Sequence, residues 1–377
     1  MNPTKPHLIA LSAILLASVA SAREIRVGTG PHNDFSTIQA AINAAHRGDD
    51  IDVAPGTYAE QLVIGPGKDN LNVGGTRHWG AIIVPPPTMT SGALITVNGA
   101  HNVNINEFTI SGPLPEVVLS SSATAAGIYV GGGGSAVIQD NYITQIWQVT
   151  AASRGIQNGV AIEVGRQFDG TTGSAAILNN TIDHFQKNAM EIDNNGSYAA
   201  VFNNTVIGEG PIDYTAQNGI QVSRGASGWV QGNTVRNMSY TPATYADSGI
   251  LLFETSYVAV TDNDVKACDL GIALADVTHS YIERNHITNG LYGLDIDEFS
   301  TGSTNNRIDN NDSSNNSQEG IYVSVDSINN QFDHNKFKNN AVLDAEDDSV
   351  GTGDGGTGND WDHNKIGTDN HGGALGH

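Results

Sequence analysis

The chain has 377 residues and is strongly acidic, with 40 Asp and Glu against 17 Lys and Arg and a formal net charge of −23. This balance argues against nucleic acid as a partner, because binding to phosphates requires clustered cations. It also argues against capture of a polyanion by a long-range field, and it leaves two explanations of the acidic charge open, solubility and cation binding. A single cysteine, Cys268, excludes an internal disulfide framework.

The first 22 residues have the pattern of a secretory signal peptide. Lys5 precedes the apolar run "LIALSAILLASVA", and small residues lead up to Arg23. We therefore expect cleavage after Ala22. The apolar run is short for a membrane span and no second run follows, so the sequence predicts no transmembrane segment. It predicts a secreted protein, located extracellularly, in a periplasm or at a cell surface.

Residues 35–47 predict a short helix. Ser36 and Gln39 have the spacing of a capping box. An apolar stripe begins at Ile38 and recurs at helical spacing, and Gly48 can end the helix. A helix at this position would cover the open end of a repetitive core formed by the residues that follow.

Two short patterns alternate along the rest of the chain. The first is a small residue followed by apolar-x-apolar, as in "GIQV" at 219 and "GLDI" at 293. The second places apolar residues three before and two after an Asn, as in "ILNNTI" and "VTDNDV". They alternate with a period of roughly 22 to 30 residues, which is typical of solenoids. Each pattern has the two-residue period of a strand.

Strands one coil apart stack in parallel about 4.8 Å from each other. We interpret the recurring Asn as an internal ladder, in which stacked side-chain amides form hydrogen bonds from coil to coil at a turn. The predicted members are Asn141, Asn180, Asn204, Asn233, Asn263 and Asn285.

These repeats resemble the right-handed parallel β-helix of the pectin-lyase-like superfamily, from Arg23 to the C-terminal region. The segment "DFSTIQAAINAAHRGDDIDVAPGTYAEQLVI" looks like the entry module of pectin methylesterases and related β-helix proteins. The resemblance implies an all-β fold, a right-handed single-stranded parallel β-helix (solenoid) with a short N-terminal capping α-helix. We expect one domain over residues 23–365, with the cap at about 35–47, and a Gly-rich C-terminal tail over residues 366–377.

The polar residues of the first pattern alternate with core residues, so they must face outward. Together with the following turn positions they predict a functional face. The candidate catalytic residues are Asp193, Arg224 and Glu254, since Arg224 lies on the coil between the two acids. The candidate substrate-binding residues are Glu163, Glu191, Gln221, Asp276 and Trp229. The candidate metal ligands are Asp295, Asp297 and Glu298.

Carboxylates stacked one coil apart repel each other unless protons, a cation or a guanidinium intervene. Carboxylates that hold Ca²⁺ against a uronate, beside a basic residue, would suit a polysaccharide lyase. Acids on adjacent coils, about 5 Å apart, would suit a retaining glycoside hydrolase. A surface ion-pair ladder that contributes little to stability is a simpler explanation of the same residues.

The resemblance implies an extracellular polysaccharide as the partner. The motifs of β-helix polygalacturonases and the catalytic pattern of pectin methylesterases are absent from this sequence, however. Two hypotheses therefore remain open: a polysaccharide lyase or glycoside hydrolase, and a non-catalytic cell-surface or matrix protein that binds glycan or protein. Ca²⁺ is the candidate cofactor, and no organic cofactor is expected.

Overall fold

The structure is a computed structural model that describes residues 22–89, 92–115, 124–148, 154–242 and 247–376. The predicted signal peptide, apart from Ala22, lies outside the described residues. Within the described ranges, no helix has the length and apolar character needed to cross a membrane.

The described residues form a right-handed parallel β-helix with three parallel sheets of thirteen, eleven and twelve strands. The thirteen-stranded sheet contains Glu24–Val27, Asp50–Val53, Asn72–Gly75, Val103–Asn106, Ser135–Gln139, Ser174–Leu178, Tyr198–Phe202, Ser227–Gln231, Ala259–Thr261, Tyr281–Glu283, Arg307–Asp309, Gln331–Asp333 and Asp360–Asp362. The eleven-stranded sheet contains Leu62–Ile64, Ala93–Asn98, Ala126–Gly131, Val160–Val164, Asn188–Asp193, Asn218–Ser223, Ser248–Phe253, Leu270–Ala275, Tyr292–Asp297, Ile321–Val323 and Ala345–Asp347. The twelve-stranded sheet contains Gly56–Ala59, Ala81–Val84, Phe108–Ser111, Tyr142–Thr144, Thr181–Asp183, Thr205–Ile207, Thr234–Arg236, Asp264–Lys266, His286–Thr288, Asp312–Ser314, Lys336–Lys338 and Lys365–Ile366.

The core consists of apolar side chains stacked in register from coil to coil. Ile220, Ile250, Ile272 and Leu294 are successive partners in the eleven-stranded sheet, and each is fully buried. Cys268 is buried in the same core, where burial raises the pKa of its thiol to about 12. The apolar positions of the first sequence pattern therefore line the interior, as predicted.

The second sequence pattern contains two strands rather than one. Ser135–Gln139 belongs to the thirteen-stranded sheet and Tyr142–Thr144 to the twelve-stranded sheet, and a two-residue bend at Asp140 and Asn141 joins them. The same bend recurs on later coils. Its first residue has a positive φ on each of nine coils, and we call these residues the bend column: Asp140, Asn179, Asn203, Gly232, Asp262, Arg284, Asn310, His334 and His363.

The second residue of each bend forms the predicted asparagine ladder. Asn233, for example, is fully buried and donates from Nδ2 to Oδ1 of Asn263 at 2.9 Å. Its Oδ1 accepts from the backbone N–H of Asn204 at 2.9 Å. The ladder is confirmed for all six predicted residues and continues through Asn311, Asn335 and Asn364.

A helix over Ile38–Ala44 packs at the N-terminal end and buries Ile38, Ala41 and Ile42. The predicted capping box is wrong. Glu60 caps the helix instead, because its two carboxylate oxygens accept from the backbone N–H groups of Ile38 and Gln39, each at 2.9 Å. The Gln39 side chain is used elsewhere, in hydrogen bonds to the backbone of Val63 that join the helix to the strand Leu62–Ile64.

Within the described part of the chain, the short 3-10 helices Gln167–Asp169 and Asp354–Gly356 lie in connecting segments. The first borders the functional face described below. The Gly-rich segment after residue 366 packs against the last coils, where Leu375 is fully buried.

Candidate functional site

A groove of about 560 Å³ lies on the outer face of the eleven-stranded sheet. Its floor is formed by the strands Val160–Val164, Asn188–Asp193, Asn218–Ser223 and Ser248–Phe253, which are consecutive neighbours. Because side chains alternate along each strand, polar residues between core positions face this groove, among them Glu163, Glu191, Asp193 and Gln221. One row across the strands consists of Glu163, Glu191, Gln221 and Leu251.

Glu191 occupies the floor of the groove, where its side chain retains 15% exposure. Its Oε2 accepts from Asn188 Nδ2 at 2.7 Å, and its Oε1 accepts from Gln221 Nε2 at 3.2 Å. Burial and the nearby charge of Asp193 raise the pKa of Glu191. A carboxyl with these properties can hold a proton at higher pH than an ordinary glutamic acid and donate it inside the groove.

Arg224 lies beside this carboxyl and is paired with Asp193. Its Nη1 is 3.0 Å from Asp193 Oδ1 and 3.6 Å from Glu191 Oε1. Asp193 is only 3% exposed and also accepts from Ser223 Oγ at 3.1 Å and from the backbone N–H of Gln167 at 2.8 Å. Asp193 is thus fully engaged as a buried anchor for Arg224, whose side chain remains 25% exposed toward the groove.

Glu163 and Arg166 form a second pair at the edge of the groove. Arg166 Nε is 2.8 Å from Glu163 Oε1, and both side chains are almost fully buried. Burial raises the pKa of Glu163 to about 8, and the charge of Glu191 acts in the same direction, whereas Arg166 opposes the shift. Arg166 was not among the predicted residues, since it lies in an irregular loop that the repeat period does not place.

Lys187 also lines the groove and was not predicted. Its Nζ donates to the backbone oxygen of Ala216 at 2.5 Å. Burial lowers the pKa of Lys187, although the carboxylates of Glu191 and Asp247 act in the opposite direction. Cationic residues are scarce in this chain, so the position of Lys187 directly before a strand of the first pattern could have marked it as a candidate.

Aromatic rings border the groove. Phe168 and Phe299 are 63% and 68% exposed, and both line it. The guanidinium of Arg166 lies 5.3 Å from the ring centre of Phe168, and the rings of Phe253 and Phe299 pack edge to face at 5.1 Å. Exposed rings of this kind offer flat apolar surfaces to a ligand between the charged groups of the floor.

The charges in the groove differ from those of the whole chain. Two arginines and one lysine face three carboxyls, and two of these carboxyls, Glu163 and Glu191, have raised pKa values. Guanidinium groups remain charged under all ordinary conditions. With Lys187 neutral, protonation of both acids leaves two arginines facing Asp193 alone, which gives the groove a local positive charge on an otherwise acidic protein.

The structure separates Glu254, Asp276 and Trp229 from the other predicted residues. Glu254 is exposed at a turn with φ of 48°, and no ion pair joins its side chain to Arg224 among the described residues. The expected pairing of Arg224 with Asp193 is confirmed, but the second carboxylate that Arg224 reaches is Glu191 rather than Glu254. Trp229 lies on the thirteen-stranded sheet, where its Nε1 donates to Thr261 Oγ1 at 3.1 Å.

Asp276 organises a loop rather than the groove. Partial burial would raise its pKa, but Ser300 Oγ and the backbone N–H groups of residues 299–302 donate hydrogen bonds to it. These hydrogen bonds outweigh the burial and hold the pKa of Asp276 well below its usual range. Asp276 thereby fixes the loop that carries Phe299.

The three predicted metal ligands lie together on one strand and its turn. Burial raises the pKa of Asp295 to about 8, and Asp297 and Glu298 add to the shift. The described residues contain one cluster of at least three His, Cys, Asp or Glu side chains whose donor atoms all lie within 4.8 Å of one another. It consists of Asp333, His334 and His363. The donor atoms of Asp295, Asp297 and Glu298 therefore do not converge in this way, and Ca²⁺ binding there stays a prediction.

Comparisons with known proteins agree with this architecture. The family model described as "right handed beta helix region" matches residues 158–337. A search of curated protein sequences found no match. Among solved structures, the Dettilon tailspike protein superposes with a TM-score of 0.60 at 15% identity, covering 87% of this chain and 62% of the tailspike chain. The chain thus spans less than two thirds of the tailspike's length.

Two further solved structures were matched. XylC in complex with xylose gives a TM-score of 0.51 at 12% identity, covering 88% of this chain and 77% of XylC. The A-module of the Azotobacter vinelandii mannuronan C-5 epimerase AlgE6 gives 0.47 at 15% identity, covering 82% and 90%. The match over residues 158–337 and the three-sheet solenoid show that the chain has a right-handed parallel β-helix fold.

Proposed function

We propose that this chain is a secreted carbohydrate-active protein that cleaves an acidic extracellular polysaccharide by β-elimination. One observation carries the proposal. A guanidinium (Arg224), an amine with a lowered pKa (Lys187) and a carboxyl with a raised pKa (Glu191) line the same groove. Eliminative cleavage of a uronate requires an anion-binding group, a base and an acid, and the groove supplies all three.

The groove also suits the substrate class. Its local positive charge complements a sugar carboxylate, which the acidic remainder of the surface would repel. The exposed rings of Phe168 and Phe299 can pack against the apolar faces of pyranose rings. The presence of a sugar in the XylC structure agrees with a glycan ligand, although the similarity itself concerns only the fold.

Each group has a defined role in the reaction. Arg224 pairs with the uronate carboxylate and stabilises the charge that develops when the neighbouring C5 loses its proton. Lys187, as a neutral amine, accepts that proton. The electron pair forms the C4–C5 double bond, the C4–O4 bond breaks, and Glu191 donates its proton to O4. Proton exchange with solvent then restores Lys187 and Glu191.

Glycoside hydrolysis is the second candidate. Glu163 and Glu191 are direct partners on adjacent strands, and carboxyls about 5 Å apart are typical of retaining hydrolases. Glu163, however, is buried against Arg166, so it is less available to a sugar than Lys187 is. This contact favours elimination.

The two reactions give different products. The purified protein is incubated with a panel of uronate polysaccharides and neutral glycans, and ultraviolet absorbance of unsaturated uronates and new reducing ends are measured. We expect both signals from at least one uronate polymer. Reducing ends without absorbance would replace elimination with hydrolysis. Retention on a glycan without any product would instead support the non-catalytic hypothesis.

Matched variants test the assigned residues. Lys187→Met and Glu191→Gln should each lower turnover on the order of 10²-fold or more, because each removes a proton-transfer group. Lys266→Met and Glu283→Gln make the same changes outside the groove, on the twelve- and thirteen-stranded sheets, and should leave turnover unchanged. Full activity in both groove variants would refute the assignment.

A further inference from the structure

A second cluster of functional side chains lies at the bend between the thirteen- and twelve-stranded sheets, on the last coils. His334 and His363 are consecutive members of the bend column. Each follows an aspartate that ends a strand, Asp333 in Gln331–Asp333 and Asp362 in Asp360–Asp362, and these two aspartates are direct partners in the sheet. Stacking of the coils therefore brings two Asp-His pairs together.

The donor atoms of this cluster are close to one another. His334 Nδ1 and His363 Nδ1 lie 2.6 Å and 3.6 Å from Asp333 Oδ1. His363 Nδ1 is also 2.9 Å from Asp362 Oδ1. The two imidazole rings are stacked, with centres 4.9 Å apart and planes inclined by 15°. Both Nδ1 atoms thus face the same carboxylate oxygen.

Asp333 Oδ1 provides a second, independent observation. This atom is buried from solvent, yet it accepts no well-aligned hydrogen bond from any described residue, including the nearby imidazole of His334. A buried carboxylate oxygen without a well-aligned hydrogen-bond donor carries a desolvation cost. A cation bound between it and the two imidazoles would compensate that cost.

The donor set selects the type of cation. Two imidazole nitrogens and carboxylate oxygens suit Zn²⁺ and neighbouring transition metals, whereas Ca²⁺ and Mg²⁺ prefer oxygen ligands alone. Ligand bonds of about 2.0–2.2 Å place the donors of a tetrahedral Zn²⁺ site roughly 3.3–3.6 Å apart. The imidazole nitrogens lie 2.6 and 3.6 Å from Asp333 Oδ1, and the donor atoms of the three residues lie within 4.8 Å of one another, so side-chain adjustments would bring them to these separations.

We propose that Asp333, His334 and His363 bind a divalent transition-metal ion of the Zn²⁺ type. The ion would link two consecutive coils near the C-terminal end of the solenoid. The site is separate from the groove, because it lies on the bend between the other two sheets.

The test uses the full chain without a histidine tag, treated with chelator and then titrated calorimetrically with Zn²⁺ and, separately, with Ca²⁺. We expect one Zn²⁺ per chain and much weaker binding of Ca²⁺. His334→Asn and His363→Asn should each weaken Zn²⁺ binding at least about tenfold. Asn is compatible with the positive φ at both positions, since Asn310 occupies the preceding place in the bend column with a φ of 54°.

His184→Asn is the matched control. His184 also follows an aspartate and also has a positive φ, and its Nδ1 lies 2.9 Å from Asp183 Oδ1, but it has no stacked second imidazole. The His184→Asn variant should bind Zn²⁺ with the same affinity as the unmodified chain. Added Zn²⁺ should raise the thermal midpoint of the control but not of the other two variants. Undiminished binding in His334→Asn and His363→Asn, equal affinity for Ca²⁺, or no binding at all would overturn the proposal.

Discussion

Substitution of one ladder residue, Asn233→Ala, should destabilise the solenoid far more than its size suggests. The change removes the acceptor of the Asn204 backbone N–H and the donor to the backbone oxygen of Val201, both at 2.9 Å. Asn233 is fully buried, so water cannot replace either partner. Two orphaned backbone groups at about 1–3 kcal/mol each give a loss of about 2–6 kcal/mol.

Urea unfolding followed by far-ultraviolet circular dichroism measures this loss, with Asn195→Ala as the control. Asn195 is exposed and precedes a strand outside the ladder, so its replacement should change the free energy of unfolding by less than about 0.5 kcal/mol. A loss below about 1 kcal/mol for Asn233→Ala, or an equal loss in the control, would refute the assignment of stability to the ladder hydrogen bonds.

Two further predictions concern Phe299, which borders the groove, and the buried carboxyl of Asp295. Phe299→Ala should raise KM for the polysaccharide several-fold with little change in kcat, measured by steady-state kinetics, whereas Tyr257→Ala, which removes an equally exposed ring outside the groove, should not. The pKa of Asp295 is about 8 in the folded chain and about 4 in the unfolded chain. Between these pH values the native state binds more protons than the unfolded state, so stability falls as the pH rises from about 4 to about 8. Asp295→Asn should therefore raise the thermal midpoint at pH 8 relative to the unmodified chain, and a gain of the same size at pH 4 would contradict this explanation.

The core and the ladder could be predicted from sequence because a single local rule places them. Alternation of apolar residues determines which side of a strand is buried, and Leu294 and Ile296 fit the interior whatever lies around the outer face. The ladder asparagines are similarly determined, since a buried amide requires partners and the adjacent coil supplies them. The three-sheet geometry was less accessible, because the bend at Asp140 and Asn141 has no glycine or proline to mark it.

The groove depends on contacts that the repeat period does not specify. Glu254 is only one residue beyond the strand that ends at Phe253, yet a left-handed backbone conformation at the turn directs it into solvent. Arg166 reaches Glu163 from an irregular loop, and the 3-10 turn at Gln167 supplies a backbone donor to Asp193. Burial of the outward acids arises from these loops, so their raised pKa values could not be inferred from the strands.

The bend column has a consequence for how such a solenoid can change. The same backbone conformation accommodates Gly, Asn, Asp, Arg and His at successive coils, and neighbouring members already form an ion pair, Arg284 with Asp262 at 2.7 Å, and an imidazole stack. The ladder beside it holds the backbone while leaving these side chains unconstrained by the core. A protein engineer could therefore treat the column as a row of attachment points about 4.8 Å apart, where ligands or crosslinks can be exchanged coil by coil without redesigning the interior.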